Sequence, residues 1–444
     1  MKQDGSRLMI HPADVKGKWT RARRIVFALL IGVYVLGPLI PVGGHPMIQL
    51  DVEHRRFFLF GSTFNSQDFW MVLLLALSFV FSLLLVTAQR GRVWCGWACP
   101  QTVFLEGVYR PIERLFDGPR ERRIRLAQEP MSLDKFARRA GKLFTFLVVS
   151  ALIAHTATAL FVGPRELVAM ISEGPRAHLE AFGLTLGFTT VLMFNFTWFR
   201  EQFCVVLCPY GRLQSVLHDR HSVTVAYRDA RGEPRGKLGV AKGDCIDCKR
   251  CIAVCPTGID IRNGLQMECL ACTQCIDACD EMMDKVKKPR GLITFASQHE
   301  LAGQPRKSVR PRVVIYAALL VVVLGTLGVS LATRTPFEAN VFRPRGAMPF
   351  VIDGDVVRNP LDVHVFNKNP GPAPFSLVVE GAPSSETIII GTPTLELASL
   401  TDAHVPVSIS IPRSALTVPV ELQLRVTDTT NGVSKTLPLR FLGR

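Results

Sequence analysis

Five long apolar stretches constrain the fold of this chain more than any other feature of its sequence. Each approaches the ~20 residues that an α-helix needs to cross the ~30 Å hydrocarbon layer of a bilayer. They cover residues 25–42, 69–88, 143–162, 182–200 and 313–332. No A-x-A cleavage site follows the first stretch, so we interpret it as a retained helix rather than a signal peptide. The sequence therefore predicts an α-helical membrane protein with about five spans.

Basic residues in the connecting segments predict the orientation of these spans. The N-terminal 24 residues carry seven Lys and Arg and segment 89–142 carries twelve, whereas segments 41–68 and 163–181 carry two each. Because Lys and Arg concentrate in cytoplasmic loops, the N-terminus is predicted inside and the C-terminus outside. The net charge of +15 fits this pattern and attraction to anionic lipid, which we favour over nucleic-acid binding.

All twelve cysteines fall in CxxxC or CxxC groups, which argues for metal ligands rather than a disulfide framework. All of them are predicted on the cytoplasmic side, where thiols stay reduced. Residues 245–256, CIDCKRCIAVCP, and 269–280, CLACTQCIDACD, each have the spacing C-x2-C-x2-C-x3-C. In two-cluster ferredoxins the fourth cysteine of each such motif binds the other cluster.

Crossed ligation predicts two [4Fe-4S] clusters. One is held by Cys245, Cys248, Cys251 and Cys279, and the other by Cys269, Cys272, Cys275 and Cys255. A pair of zinc sites is the alternative, since four thiolates also suit zinc. Asp280 stands where the first motif has Pro256, and its charge is expected to lower the reduction potential of the nearby cluster.

Two further cysteine pairs follow the second and fourth apolar stretches. They lie in RVWCGWACP, residues 92–100, and EQFCVVLCP, residues 201–209, which indicates a duplicated unit. Proline suits the first turn of a helix, so Cys99 and Cys208 are predicted at helix starts, where thiolate is favoured. The segments behind them mix apolar and basic residues and are predicted to lie along the membrane surface.

The four thiols Cys95, Cys99, Cys204 and Cys208 are the candidate reactive site. Brought together, they could hold Cu(I), a further iron–sulfur cluster, zinc or a redox-active disulfide pair. Structural cysteines are the remaining alternative, and the spacing alone does not choose among these possibilities.

Three histidines are weaker candidates. His155 lies inside an apolar stretch, where an ionisable residue is a functional candidate, but we favour a neutral histidine bonded to a neighbouring helix. His45, Met47 and His54 give a predicted outer loop nitrogen and thioether donors that could bind copper.

Beyond Thr335 the sequence alternates apolar and polar residues and is broken by Pro and Gly. About seven short strands are predicted, with Asn431-Gly432 as a two-residue hairpin turn. This pattern favours an immunoglobulin-like β-sandwich, and we expect it to dock a partner.

Duplicated CxxxCP helix ends, tandem ferredoxin motifs, one further span and a β-sandwich tail together resemble the CcoG/FixG/RdxA family of membrane polyferredoxins, the cytochrome oxidase accessory proteins. The expected fold is membrane α-helical, with an inserted α+β bis-[4Fe-4S] ferredoxin-like domain and a C-terminal all-β sandwich. The expected domains are a basic N-terminus (1–24), a four-helix membrane domain (25–200), a ferredoxin domain (201–312), a fifth span (313–332) and the sandwich (335–444).

The resemblance implies a bacterial inner-membrane protein that serves assembly of the cbb-type haem-copper oxidase by reducing Cu(II) to Cu(I). Oxidase assembly factors or a copper transporter or chaperone are the implied partners. We find no GxGxxG after a strand and no CxxCH, so the electron donor is expected to be a separate protein or a membrane quinol. The alternatives are a quinol-oxidising electron-transfer subunit of a periplasmic reductase and a passive copper chaperone.

Overall fold

Four of the predicted apolar stretches form helices long enough to cross a membrane in this computed structural model. They are Phe69–Arg90, Leu133–Val162, Leu179–Phe199 and Pro311–Ala332. Within their most apolar windows only 6% to 33% of the residues are buried inside the protein. Most of this apolar surface is therefore left to contact lipid, as expected of membrane spans.

The first apolar stretch is helical over only part of its predicted length, residues 25–36 of 25–42. Helix α1 (Lys18–Leu36) ends at Gly37, and its first two turns carry the basic residues that precede the apolar run. The apolar part, residues 25–36, is about 18 Å long at 1.5 Å per residue. Tyr34 donates a hydrogen bond of 2.8 Å to the carbonyl of Ile153, so α1 lies beside the span Leu133–Val162. Because the apolar part of α1 is shorter than the hydrocarbon layer, the predicted number of about five spans is approximate.

The structure describes residues 9–65, 68–237, 242–344, 346, 348–369, 371–381, 387–415 and 421–443. The helices that follow α1 are α2 (Phe69–Arg90), α3 (Val93–Trp97), α4 (Pro100–Phe104), α5 (Arg110–Asp117), α6 (Arg120–Gln128), α7 (Leu133–Val162), α8 (Pro164–Glu173), α9 (Leu179–Phe194), α10 (Pro209–Leu217), α11 (Asp229–Gly232), α12 (Arg250–Ala253), α13 (Gln274–Lys285), α14 (Gln298–Leu301) and α15 (Pro311–Ala332). Single π-helical turns occupy Leu105–Tyr109, Asn195–Phe199 and Phe203–Leu207, and 3-10 turns occupy Ile261–Asn263 and Arg413–Ala415.

The strands are β1 (Pro41–Val42), β2 (His45–Pro46), β3 (Ile48–Asp51), β4 (Arg56–Leu59), β5 (Ser62–Phe64), β6 (Thr224–Tyr227), β7 (Ile293–Ala296), β8 (Phe337–Phe342), β9 (Val351–Asp353), β10 (Val356–Asn367), β11 (Ala373–Glu380), β12 (Thr387–Ile390), β13 (Thr394–Leu397), β14 (Asp402–Pro412), β15 (Glu421–Asp428) and β16 (Val433–Arg440). The chain divides into two compact units at residues 327 and 328.

In the first unit, the segment behind the first CxxxCP packs against the membrane helices. Tyr109 is fully buried, and its ring stacks on Phe196 with a centroid distance of 4.2 Å. Its hydroxyl shares a 2.7 Å hydrogen bond with Ser150 on α7. The apolar side of this segment is therefore covered by protein. The polar side points to the cysteine-rich segment, where Arg110 donates to the carbonyl of Pro256.

The cysteine-rich segment has a small core of its own. Strands β6 and β7 pair antiparallel, and α12 and α13 pack beside them. Buried apolar side chains from all these parts form one cluster with the cysteines, as in an α+β ferredoxin domain. They are Val225, Tyr227, Ile261, Ile276, Met283, Leu292 and Ile293.

The second unit is a β-sandwich. One sheet has the order β12-β14-β10-β8, with β9 paired to β10, and the other has the order β13-β11-β15-β16. All pairs are antiparallel, and alternate residues from both sheets fill one core around Phe337 and Phe375. The predicted two-residue turn is wrong: Asp428 pairs with Val433, which leaves a four-residue loop. The Asp428 carboxylate accepts hydrogen bonds from the backbone of Thr430 and Asn431 and so stabilises this longer loop.

Candidate metal centres

The two C-x2-C-x2-C-x3-C motifs share one unusual backbone conformation. In each motif the second and fourth residues after the first cysteine are non-glycine residues with positive φ. They are Asp247 (48°) and Lys249 (54°) in the first loop, and Ala271 (51°) and Thr273 (65°) in the second. This conformation costs about 1–2 kcal/mol per residue. Its repetition at equivalent positions indicates that both loops wrap the same kind of group.

The structure gathers the eight cysteines of these motifs into two cavities. One is lined by Cys245, Cys248, Cys251 and Cys279, and the other by Cys269, Cys272, Cys275 and Cys255. Cys251 also borders the second cavity, so the two sites are neighbours. In each cavity the fourth cysteine comes from the other motif, which is the grouping that crossed ligation requires.

The spacing of the thiols fits clusters better than single zinc ions. Four thiolates on one zinc ion lie roughly 3.8 Å apart, given Zn–S bonds of about 2.3 Å in a tetrahedron. The structure describes all twelve cysteines, and no three of their sulfurs lie within 4.8 Å of one another. A cluster of several iron atoms separates its thiolates more widely, so these residues fit [4Fe-4S] groups.

Burial keeps these thiols protonated until a metal displaces the proton. It raises the pKa of Cys251 to about 11 and that of Cys269 to about 11. Burial, and then the charges of Cys251 and Cys248, raise the pKa of Cys279 to about 12. Loading the sites therefore releases protons, as metal binding to thiols does in general.

The CxxxCP cysteines occupy the predicted helix starts. Cys99 is the residue before α4 and Cys208 the residue before α10, each followed by proline in the first turn. The sequence predicts that the helix start favours thiolate at Cys99, which means a lowered pKa, and this prediction is wrong. Burial raises the pKa of this thiol and outweighs the lowering effect of hydrogen bonds from the backbone of Gln101 and Thr102.

The four CxxxCP thiols form one group. Cys204 packs against the buried cluster that contains Cys95. Burial, followed by the charges of Cys99, Cys95 and Cys208, raises the pKa of Cys204 to about 12, which agrees with four neighbouring thiols. The fully buried Gln214 binds the Cys95 sulfur through its amide nitrogen at 3.5 Å and accepts a hydrogen bond from Arg92. Sequence reasoning did not single out Gln214, because its role depends on a contact between α10 and residues far away in the chain.

This thiol group lies against the second ferredoxin loop. Cys95 packs with Leu270 and Cys272 in one buried cluster, and Trp97 donates a 3.3 Å hydrogen bond to the carbonyl of Ala271. A side chain at Gly96 would come within 2.4 Å of the carbonyl oxygen of Leu270. Gly96 therefore permits the close approach of the first CxxxCP loop to the second ferredoxin loop. The only sequence signal for this contact is that CGWAC has glycine where CVVLC has valine.

The N-terminal helix also binds the cysteine-rich segment. The Asp277 carboxylate on α13 accepts hydrogen bonds from the Thr20 backbone at 2.7 Å and the Thr20 hydroxyl at 2.8 Å. The buried Arg23 donates a 2.6 Å hydrogen bond to the carbonyl of Gly96. Helix α1 is thus connected both to the second ferredoxin motif and to the first CxxxCP loop.

The weaker histidine candidates are not brought together. His155 bonds the carbonyl of Ala151 in its own helix at 2.7 Å. His45 stacks on Phe58, and His54 pairs with Asp51 at 2.9 Å. Within the described ranges, these histidines join no group of three converging ligand atoms.

Comparison with known protein families matches three parts of the chain. Residues 69–119 match a 4Fe-4S binding domain, and residues 199–239 and 235–298 match a 4Fe-4S dicluster domain. Residues 327–444 match the immunoglobulin-like fold at the C-terminus of FixG. The FixG-related protein of Vibrio parahaemolyticus, of known crystal structure, is 22% identical over 24% of this chain and 97% of its own, with a TM-score of 0.22.

Two curated relatives are similar over most of their length. Protein RdxA of Cereibacter sphaeroides is 34% identical over 88% of this chain and 86% of its own. Nitrogen fixation protein FixG of Rhizobium meliloti is 33% identical over 87% of this chain and 82% of its own. With the cluster motifs, the apolar helices and the immunoglobulin-like sandwich, this similarity places the chain in the FixG/RdxA family, as an iron–sulfur electron-transfer protein.

Proposed function

We propose that this protein reduces Cu(II) to Cu(I) at Cys95, Cys99, Cys204 and Cys208 and so supplies cuprous ion for assembly of a cbb-type oxidase. When bound, two [4Fe-4S] clusters supply one-electron transfer, and cupric ion needs one electron to become cuprous ion. The electron comes from an external donor, either a reduced protein or a membrane quinol. Oxidase assembly factors or a copper transporter or chaperone then receive the Cu(I).

The observation that carries this proposal is the contact between the CxxxCP thiols and the second ferredoxin loop. Cys95 and Cys272 belong to one buried cluster, so the path between the two thiol groups is short and excludes water. Thiolates are soft ligands that stabilise Cu(I) over Cu(II). Burial raises the pKa of Cys95 to about 11 and that of Cys204 to about 12, and the neighbouring Arg92 offsets part of both increases. This positive charge favours the thiolates that copper needs.

We place the protein in a bacterial inner membrane, with the N-terminus and the cluster sites in the cytoplasm and the β-sandwich in the periplasm. The distribution of Lys and Arg supports this orientation. We also propose that domain boundaries lie at residues 24, 200, 312 and 335.

The test is reduction of Cu(II) by the chemically reduced, full-length protein, followed with a Cu(I)-specific indicator. Cys95→Ser, Cys204→Ser and the double variant should each lose reduction and Cu(I) binding, because a hydroxyl is a poor ligand for a soft ion. Equal losses in the single and double variants would mean that the thiols act as one unit. Met47→Leu, which removes the thioether of the outer loop, is the control and should reduce copper normally.

Iron and sulfide analysis of the same variants separates this proposal from its main alternative. If iron content stays constant while copper reduction falls, the thiols bind copper. If iron falls, the four thiols hold a third cluster and the copper assignment is wrong. If copper reduction and iron both persist, the CxxxCP pairs are structural.

A second candidate function is electron transfer alone, as in a quinol-oxidising subunit that serves a periplasmic reductase. Two observations favour it. The match to a 4Fe-4S binding domain over residues 69–119 includes Cys95 and Cys99. One copper ion bound by three thiolates needs three sulfurs close together, but no three of the twelve cysteine sulfurs lie within 4.8 Å of one another. Under this function the reduced protein would not turn over Cu(II), and it would contain more iron than two clusters require.

A further inference from the structure

A group of two histidines and two aspartates lies on the outer face of the β-sandwich, away from every cysteine in sequence. It consists of His364 and Asp362 on β10 and His404 and Asp402 on β14. Val363, Val365 and Val405, which are their neighbours along the two strands, are almost fully buried in the core. Because side chains alternate between the two faces of a strand, the four polar residues point outward.

The pairing of β10 and β14 brings these four side chains together. His364 is directly opposite His404, and the ring centroids are 4.7 Å apart. Each histidine reaches diagonally to the aspartate beside its partner: His364 Nε2 lies 2.8 Å from Asp402, and His404 Nδ1 lies 2.7 Å from Asp362. The ligand atoms offered by His364, Asp402 and His404 all lie within 4.8 Å of one another.

We propose that His364, His404 and Asp402 form a binding site for a divalent first-row transition ion, and that Cu(II) binds it most tightly. Two ligand atoms about 2.0–2.1 Å from one ion and at right angles to each other lie roughly 2.9 Å apart. The 2.8 Å hydrogen bond between His364 Nε2 and Asp402 already holds the two atoms at that separation, so an ion that replaces its proton requires little movement of the side chains. Imidazole and carboxylate donors in a tetragonal arrangement suit Cu(II), which also heads the affinity order of divalent ions.

Asp362 has a supporting role in this site. It holds Nδ1 of His404 at 2.7 Å, which leaves Nε2 as the free ring nitrogen. Metal-binding histidines commonly make such a bond to a carboxylate, which orients the ring and raises its basicity. The two carboxylates also give the site a charge that attracts a divalent cation. Asp362 is therefore assigned as a positioning residue and Asp402 as a ligand.

The site is open to solvent. The side chain of His404 is 58% exposed and that of Asp402 is 50% exposed. Strand β12 pairs with Val407–Ser410 of β14, which lies beyond Asp402 and His404. An ion from solution can reach these side chains without any opening of the sandwich. The inference concerns binding alone, so it holds whether or not the CxxxCP thiols reduce copper.

The experiment adds one equivalent of Cu(II) to the full-length, cluster-loaded protein with both clusters oxidised, so that no electron reaches the ion, and records its EPR spectrum. Couplings to imidazole nitrogens distinguish histidine-bound copper from thiol-bound copper. The unmodified protein should show two such nitrogens, and His364→Gln or His404→Gln should leave one and weaken the affinity. Asp362→Asn should keep both nitrogens but lose about 10–100-fold in affinity, the usual effect of removing a supporting carboxylate.

His54→Gln is the matched control, because His54 is also an exposed histidine paired with an aspartate but belongs to no group of three ligand atoms among the described residues. It should leave the two-nitrogen signal unchanged. The inference is overturned if the unmodified protein shows no histidine-bound copper, if the signal persists in the His364→Gln/His404→Gln double variant, or if His54→Gln removes it. Resistance of residues 335–444 to limited proteolysis in each variant checks that the sandwich remains folded.

Discussion

Replacing Asp277 should release the N-terminal helix from the cysteine-rich segment. Asp277 is 4% exposed, and its carboxylate accepts three hydrogen bonds, from the Thr20 backbone, the Thr20 hydroxyl and the Trp19 backbone. The carboxylate also lies at the N-terminus of α1, where a negative charge is favourable. Asp277→Ala removes the acceptor and leaves these donors without a protein partner.

The expected cost follows from these contacts. Each buried donor that loses its partner costs about 1–3 kcal/mol. Three donors at the lower end of that range give about 3 kcal/mol for the contact between α1 and α13. Because every 1.4 kcal/mol is a factor of ten, the open population of this contact should rise about 100-fold. Asp277→Asn keeps one acceptor oxygen and should give a smaller increase.

Limited trypsin proteolysis of the full-length protein measures this opening. Cleavage after Lys18 and Arg21 tracks the open population when opening is fast relative to cleavage. Cleavage after Arg165 and Arg176, in the connection between α7 and α9, is an internal reference that should not change. If Asp277→Ala is cleaved at Lys18 no faster than the unmodified protein, the carboxylate does not hold the helix.

Glu281→Gln is the matched control for this experiment. Glu281 lies on the same helix as Asp277, but its ion pair with Lys285 is at the surface. Exposed pairs of this kind contribute about 0–1 kcal/mol. The control variant should therefore be cleaved at the rate of the unmodified protein. An equal increase in both variants would mean that any loss of charge on α13 loosens the region.

Three further predictions concern the clusters, the orientation and the sandwich. Anaerobically purified protein should contain about eight iron and eight sulfide per chain, and Cys251→Ala should lose at least half of both, because its cluster shares the loops of the other. A reporter fused behind Arg444 should be active outside the cytoplasm and one fused at Lys242 inside it; the reverse result would contradict the proposed orientation. Burial raises the pKa of Glu338, but hydrogen bonds from Lys435 and Lys368 outweigh it and hold this pKa below its usual value. The stabilisation is therefore present above about pH 4.3 and is lost as pH falls through the lower folded value. Glu338→Gln should flatten the acid dependence of the thermal unfolding temperature, and an unchanged slope would refute this.

Local sequence patterns predicted the parts of this protein that depend on neighbouring residues. The spacing around Cys245 and Cys269 predicted two sites, and alternation beyond Thr335 predicted the sandwich. Proline after Cys99 and Cys208 predicted the helix starts correctly. In each of these regions the residues that form the pattern lie close together in the sequence.

The remaining features depend on residues that are distant in sequence. The pKa of Cys99 rises because the folded chain buries it, and a helix start alone cannot overcome that burial. The contact of Gly96 with Leu270 joins residues that no spacing rule connects. The turn at Asn431 was mispredicted because the side chain of Asp428 stabilises a longer loop than the Asn-Gly pair alone favours.

The hydrogen bonds between Thr20 and Asp277 join residues that are 257 positions apart. At about 5–20 residues per second, the ribosome makes Asp277 roughly 13–50 s after Thr20. Helix α1 and the spans that follow it can therefore enter the membrane while the partner of Thr20 does not yet exist. During that interval the N-terminal segment lacks its final contacts, and the CxxxCP loops are not yet covered by the second ferredoxin loop. Closure of this region is thus a late step of biosynthesis.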